Sequence, residues 1–201
     1  MQTMFPIIPD MHVTGLILAG GKAKRLGGED KGLIQLGQRH LIEHVIDRLQ
    51  PQTTSVLINA NRNQETYRGF GYPVIADGVP DFAGPLAGIL AGLQHMTTEW
   101  LVVVPCDNPA LPNKLVMSLA EVTNQQQCLL TVANCQGNIQ PVFCLLHKSL
   151  ADSISDFLAK DQHRVQDWLV HQTYSVCEFD DPNAFSNINT PEQLQEASKT
   201  P

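Results

Sequence analysis

The chain has 201 residues, 43% of them hydrophobic and 16% charged, with a formal net charge of −7. That length suits one compact domain with a full core. The acidic balance argues against broad binding to nucleic acid or an anionic membrane, both of which need a basic face.

Residues 1–12 contain Pro6, Pro9 and Asp10 and no apolar run behind a basic start, so they read as a flexible tail and not as a signal peptide. A single domain is expected over 13–198. Val13 to Ala19 predicts the first strand. The spacing of Leu41, Val45, Ile46 and Leu49 predicts a helix over 41–49. Ser55 to Ala60 predicts a second strand, Gln64 to Phe70 a polar helix, and Pro73 to Ala76 a short third strand. Pro85 suits the first position of a helix running through Leu86, Ile89, Leu90 and Leu93. Trp100 to Val104 is the most apolar strand and is expected at the centre of the sheet. Further strands are expected at Cys128 to Ala133, Val142 to Leu146 and Tyr174 to Phe179, with helices over 113–123, 148–159, 164–171 and 191–198. This alternation predicts a three-layer α/β fold with a mainly parallel sheet. No stretch is long enough to span a membrane. Five cysteines without a Cys-x-x-Cys pattern indicate neither a disulfide framework nor a zinc site, which places the chain in a reducing, cytoplasmic setting.

The chemistry concentrates first in the run Leu18-Ala19-Gly20-Gly21-Lys22-Ala23-Lys24-Arg25-Leu26-Gly27-Gly28-Glu29-Asp30-Lys31. Glycines let a backbone turn its N–H groups towards an anion, and Lys22, Lys24, Arg25 and Lys31 supply charge that a phosphate chain can neutralise. The register fits neither the Walker loop nor Gly-x-Gly-x-x-Gly. The competing reading is a basic, solvated surface turn.

Four strands end in polar or glycine residues: the first at Gly20-Gly21, then Asn59, Asp77 and Asp107. In a parallel sheet all carboxyl ends share one rim, where ligands bind. Asp107, at the tip of the central strand, is suited to Mg²⁺ beside a triphosphate; its alternative is a cap for the next helix. Asp77 has a turn-forming alternative before Gly78, and Asn189 a helix-capping one before Pro191. His40 and His44 have i, i+4 spacing but read as structural or solvated residues.

The spacing Leu-Ala-Gly-Gly-x-x-x-Arg-x-Gly-Gly-x-Asp-Lys resembles the signature loop of nucleotidyltransferases. Gly84-Pro85-Leu86-Ala87-Gly88, Val104-Pro105-Cys106-Asp107, Gln140-Pro141 and Asn187-Ile188-Asn189-Thr190-Pro191-Glu192 extend the likeness, in order, from about Thr14 to Gln195. Together they resemble the molybdenum cofactor guanylyltransferases, the MobA family. One departure is His40, where such chains usually carry proline, which concerns helix entry and not chemistry.

The resemblance implies a Rossmann-like α/β/α nucleotidyltransferase fold with a mixed sheet, and a Mg²⁺-dependent transfer of GMP from GTP to molybdopterin. It implies a nucleotide site of Leu18, Ala19, Gly20, Gly21, Lys31, Asn59, Asp77 and Asp107. Lys31, Arg25 and Asp107 are the catalytic set, with Asp107 as metal ligand. Gly84, Pro85, Leu86, Gln140, Arg164, Asn187 and Asn189 form the acceptor side. The expected partners are these two substrates and, transiently, other cofactor-biosynthesis proteins, with the chain acting as a monomer. The residues leave open a cytidylyltransferase, a sugar-phosphate nucleotidyltransferase or a non-catalytic nucleotide-binding regulator.

Overall fold

A computed structural model describes residues 8, 12–19, 30–78 and 84–197. Gly20, Gly21 and Arg25, with Lys22, Lys24, Gly27 and Gly28, lie outside the described residues, as does most of segment 1–12. Within that segment Ile8 is buried, and its N–H donates to Asn124 Oδ1 at 3.0 Å.

The first strand, β1 (Val13–Leu18), is followed after the glycine-rich segment by a small hairpin, β2 (Gln35–Leu36) and β3 (Arg39–His40). Helix α1 (Leu41–Leu49) has the boundaries that its apolar spacing predicts. At its entry the Glu43 carboxylate accepts the His40 N–H at 2.7 Å, and the His40 ring meets Phe70 edge-on. His40 thus opens the helix through the glutamate three residues on, without the usual proline. Next come β4 (Ser55–Asn59), α2 (Gln64–Arg68), β5 (Val74–Ile75), α3 (Pro85–His95) and β6 (Trp100–Pro105). The second half holds α4 (Leu115–Gln126), β7 (Leu130–Cys135), β8 (Asn138–His147), α5 (Ala151–Leu158), α6 (Val165–Leu169), β9 (Ser175–Phe179) and α7 (Pro191–Ala197).

Seven strands form one sheet in the order β5-β4-β1-β6-β8-β7-β9. Only β8 runs against the rest. Its reversal follows from the link to β7, the two residues Gln136 and Gly137, with φ of 51° and 78°. So short a link joins only antiparallel strands, and positive φ at both positions matches the twist of a hairpin. The alternating buried residues of β6 show the layers. Trp100, Val102 and Val104 pack with α1 and α4 on one face, while Leu101 and Val103 pack with α3, α5 and α6 on the other. A strand buried on both faces reads as a continuous apolar run, as β6 does. A third, smaller cluster joins Ile34, Leu41 and Ile188 and fixes the segment before α7. Among the described residues no helix is long and apolar enough to cross a membrane.

All five cysteines are free and buried. Burial pushes the Cys144 thiol up to about 12 and the Cys177 thiol up to about 11, and holds Cys106 well above the usual thiol range. A thiol raised in this way stays protonated, and therefore unreactive, until the pH approaches its raised value. The folded protein should thus react slowly with an aromatic disulfide reagent at pH 8. Unfolding in denaturant should release all five thiols at once. Rapid reaction of Cys106, Cys144 or Cys177 in the folded protein would contradict this packing.

Candidate active site

Ile75, Asn59, Leu18 and Pro105 stand in one row across four adjacent parallel strands: Asn59 pairs with Ile75, and Leu18 with both Asn59 and Pro105. The ladder continues one step further through Ala60 N to Ile75 O, Ala19 N to Asn59 O and Cys106 N to Leu18 O. Asp77 and Asp107 each lie two residues beyond this row. Parallel direction therefore delivers both carboxylates, with Leu18, Ala19 and Asn59, to one rim of the sheet.

On the left of the rim, Asn59 Nδ2 donates to Asp77 Oδ1 at 2.8 Å and Asn61 Nδ2 to Asp77 Oδ2 at 2.7 Å. Asn61 Oδ1 also accepts the Asp77 N–H at 2.8 Å. Two amides hold the carboxylate, so its orientation is set across strands and not by a turn of its own. Asn59 is itself fixed from below: a Cβ at Gly88 of α3 would lie 2.4 Å from Asn59 Oδ1 and 2.8 Å from Leu18 Cδ2. Only glycine allows α3 to approach the strand ends so closely. Gly88 is thus a packing residue beneath the site.

On the right, Lys31 Nζ donates to Asp107 Oδ2 at 2.9 Å and to Asn189 Oδ1. The Asp107 side chain is 7% exposed and that of Lys31 23%. Asp107 caps no helix, because α4 begins only at Leu115. Its peptide carbonyl accepts the Ile188 N–H at 2.9 Å. Ile188 is buried in the third cluster, and residues 187 and 189 flank it. Asn189 does not cap α7 through its side chain. Thr190 Oγ1 accepts the Gln193 N–H, while Gln193 Oε1 accepts the Asn189 and Thr190 N–H groups. That reciprocal cap leaves the Asn189 amide to Lys31.

The remaining candidate acceptor residues divide. Gly84 lies against the His163 carbonyl, which brings it beside the exposed Arg164 at the start of α6. Gln140 is at the start of β8, which reaches the same rim because β8 runs backwards, and its Nε2 donates to Asn138 O at 3.2 Å. Pro85 is exposed, whereas Leu86 is wholly buried among the residues of α3, α5 and α6, so it packs and offers no surface. Asn187 is half-buried, with its Oδ1 buried and without a hydrogen-bond partner. Among the described residues no group of three or more His, Cys, Asp or Glu side chains gathers as an all-protein metal cage.

The model of the MobA-like NTP transferase domain matches residues 15–175, which include the carboxyl ends of β1, β4, β5 and β6 at this rim. The chain belongs to the MobA-like NTP transferase family. Within the family it is 46% identical over 193 residues to a molybdenum cofactor guanylyltransferase of Polynucleobacter asymbioticus, covering 94% of this chain and 97% of the relative. It is likewise 46% identical to one of Cupriavidus metallidurans, covering 90% and 92%. The fold is that of the molybdopterin-guanine dinucleotide biosynthesis protein A of Archaeoglobus fulgidus, with a TM-score of 0.77 at 22% identity over 92% of this chain and 97% of that one. A CMP:2-keto-3-deoxy-manno-octonic acid synthetase shares it too, with a TM-score of 0.73 at 12% identity over 93% and 97%. The chain is a nucleotidyltransferase by family.

In this member of the family, three site neighbours escape a reading of the sequence alone. Asn61 holds Asp77 twice, Tyr67 meets Asp30 beneath Lys31, and Thr190 takes the capping role open to Asn189. For Asn61 and Thr190 a signal exists in the second amide after Asn59 and the Thr-x-x-Gln spacing into α7. Tyr67 carries none, since a tyrosine in a polar helix is ordinarily a packing residue.

Proposed function

We infer that this enzyme transfers GMP from GTP to molybdopterin and releases pyrophosphate. The observation that carries the reaction class is the meeting at Lys31 of a buried carboxylate and an amide from the last loop, on the rim that also holds Asn59 and Asp77. Kinship along nearly the whole chain with enzymes named molybdenum cofactor guanylyltransferase favours these two substrates.

In this reading Leu18 and Ala19, with the flanking Gly20 and Gly21, line the nucleoside side, and the paired Asn59–Asp77 unit orients it. Lys31 exchanges its protein partners for phosphate oxygens, and Arg25 adds a second cation. Asp107 is a hard, buried oxygen donor. Mg²⁺ takes one or two such carboxylates together with phosphate oxygens, so this residue fits it without a protein cage. When bound there, Mg²⁺ supplies Lewis-acid neutralisation of the reacting phosphates. An oxygen of the molybdopterin phosphate bonds to the α-phosphorus as the α–β bridging bond breaks, and the electron pair leaves with pyrophosphate. The attacking phosphate is ionised at neutral pH, so no side chain need remove a proton. Positioning and charge neutralisation do the rest. The acceptor side comprises Asn187, Asn189, Gln140, Gly84, Pro85 and Arg164.

Pyrophosphate release tests the reading. It should require GTP and molybdopterin together and fall sharply when CTP replaces GTP. Equal or faster release with CTP would make the enzyme a cytidylyltransferase, and no release would make it a binder. Asn187→Ala separates the two sides. Because the Asn187 side chain hydrogen-bonds to neither Lys31 nor Asp107 while that of Asn189 bonds to Lys31, loss of the Asn187 amide should weaken molybdopterin binding and leave GTP affinity unchanged. Loss of GTP binding alone would assign the segment to the nucleotide.

A further inference from the structure

Beneath Lys31 lies a buried polar pair. Tyr67 is fully buried and Asp30 is 5% exposed. The Tyr67 hydroxyl donates to Asp30 Oδ1 at 2.6 Å and stands 3.5 Å from the Ala19 carbonyl at the end of β1. Asn63 Nδ2 donates to Asp30 Oδ2 at 3.3 Å. Asn63 opens α2 in the left-handed region, φ 50°, without capping the helix by its side chain. That conformation costs a non-glycine residue free energy, least for asparagine, and here it accompanies the bond to Asp30. The chain also comes down unusually close at the next glycine: a Cβ at Gly32 would lie 2.7 Å from Tyr67 Oη and 3.3 Å from Cys106 Sγ.

These features serve one residue. Asp30 is joined directly to Lys31, and its carbonyl accepts the Leu33 N–H in the tight turn Lys31–Leu33. Bonded to α2 through Asp30 and brought by Gly32 close against Tyr67 and Cys106, this turn has little room to shift. Burying a carboxylate away from water is costly unless it is bonded, and an anion beneath a phosphate site gives no attraction of its own to the ligand. A core needing only volume here would be served by an apolar pair. We propose that Tyr67, acting through Asp30, is a positioning residue that fixes the Lys31 ammonium relative to Asp107 and the end of β1. The proposal rests on Lys31 as the phosphate ligand. It assigns Tyr67 no contact with the substrate.

Tyr67→Phe keeps the buried ring and removes the bond. Its GTP KM should rise roughly tenfold, the scale of a hydrogen bond to a charged group, with the molybdopterin KM unchanged. Asp30→Asn keeps an oxygen for the Tyr67 hydroxyl, and Asn63 can turn its amide to accept, so its GTP KM should stay within about twofold of the parent. Asp30→Ala should reproduce Tyr67→Phe. On a Lys31→Ala background, Tyr67→Phe should cause almost no further loss, because two residues acting through one contact are not additive. An unchanged GTP KM in Tyr67→Phe, with loss confined to melting temperature and active fraction, would overturn the proposal. So would full additivity with Lys31→Ala. If Lys31→Ala itself leaves GTP use intact, the reading of Lys31 fails instead.

Discussion

Replacing Lys31 by alanine should reduce turnover with GTP by a factor of ~10² to 10³, the usual effect of removing one preorganised charge from a phosphoryl-transfer site. Most of the loss should appear at saturating molybdopterin and be mirrored in weaker GTP binding. The fold should survive. The Lys31–Asp107 pair is neither fully buried nor exposed. Its loss should therefore cost between the ~1 kcal/mol of a surface pair and the ~3–5 kcal/mol of a buried one that leaves its partner unpaired. Circular dichroism and a melting curve separate the two effects. Normal turnover in a folded Lys31→Ala protein would remove the phosphate-binding role from this residue.

Asp107→Asn should have the other large effect. The amide keeps the size of the side chain and its place after β6 but gives up the charge. On the proposed metal-binding role of this residue, transfer should drop by ~10²-fold or more, because a negatively charged donor to Mg²⁺ would contribute several kcal/mol of transition-state stabilisation. The neutral amide also weakens the hold on Lys31 Nζ, so the apparent Mg²⁺ requirement and the GTP KM should both rise. A variant that keeps near-normal rates at ordinary Mg²⁺ would make Asp107 a partner of Lys31 and nothing more.

The rim that carries these two residues was legible in the sequence because it follows from strand direction. Apolar runs ending at Asn59, Asp77 and Asp107 needed only to be parallel to meet, and the paired row Ile75–Asn59–Leu18–Pro105 puts them together. Helix α1 was legible to the residue, since its apolar spacing ends where Gln50 and Pro51 begin. The hairpin of β7 and β8 was less so. Its strands run to Cys135 and from Asn138, further than the expected ends at Ala133 and Val142, because Asn134, Asn138 and Gln140 are polar. A Gln-Gly pair is a weaker turn signal than Asn-Gly, although Gln136 adopts the same left-handed backbone here. Two-residue strands such as β2 and β3 are too short to show any period. Within the site, the charged residues proposed to meet the ligand, Lys31 and Asp107, stand out in the sequence by their chemistry. Those acting through another residue do not. Tyr67 is separated from Asp30 by 37 positions, and only the folded chain brings its hydroxyl to the carboxylate.

Isotope transfer tests the central claim most directly. Purified protein is incubated with molybdopterin, Mg²⁺ and GTP labelled either at the α- or at the γ-phosphate, with CTP labelled in the same two ways in parallel. Transfer of GMP requires the α-label to enter the pterin product and the γ-label to leave entirely in pyrophosphate, with little incorporation from CTP. Appearance of the γ-label in the pterin product or in free orthophosphate, or α-label incorporated equally from CTP, would contradict the account.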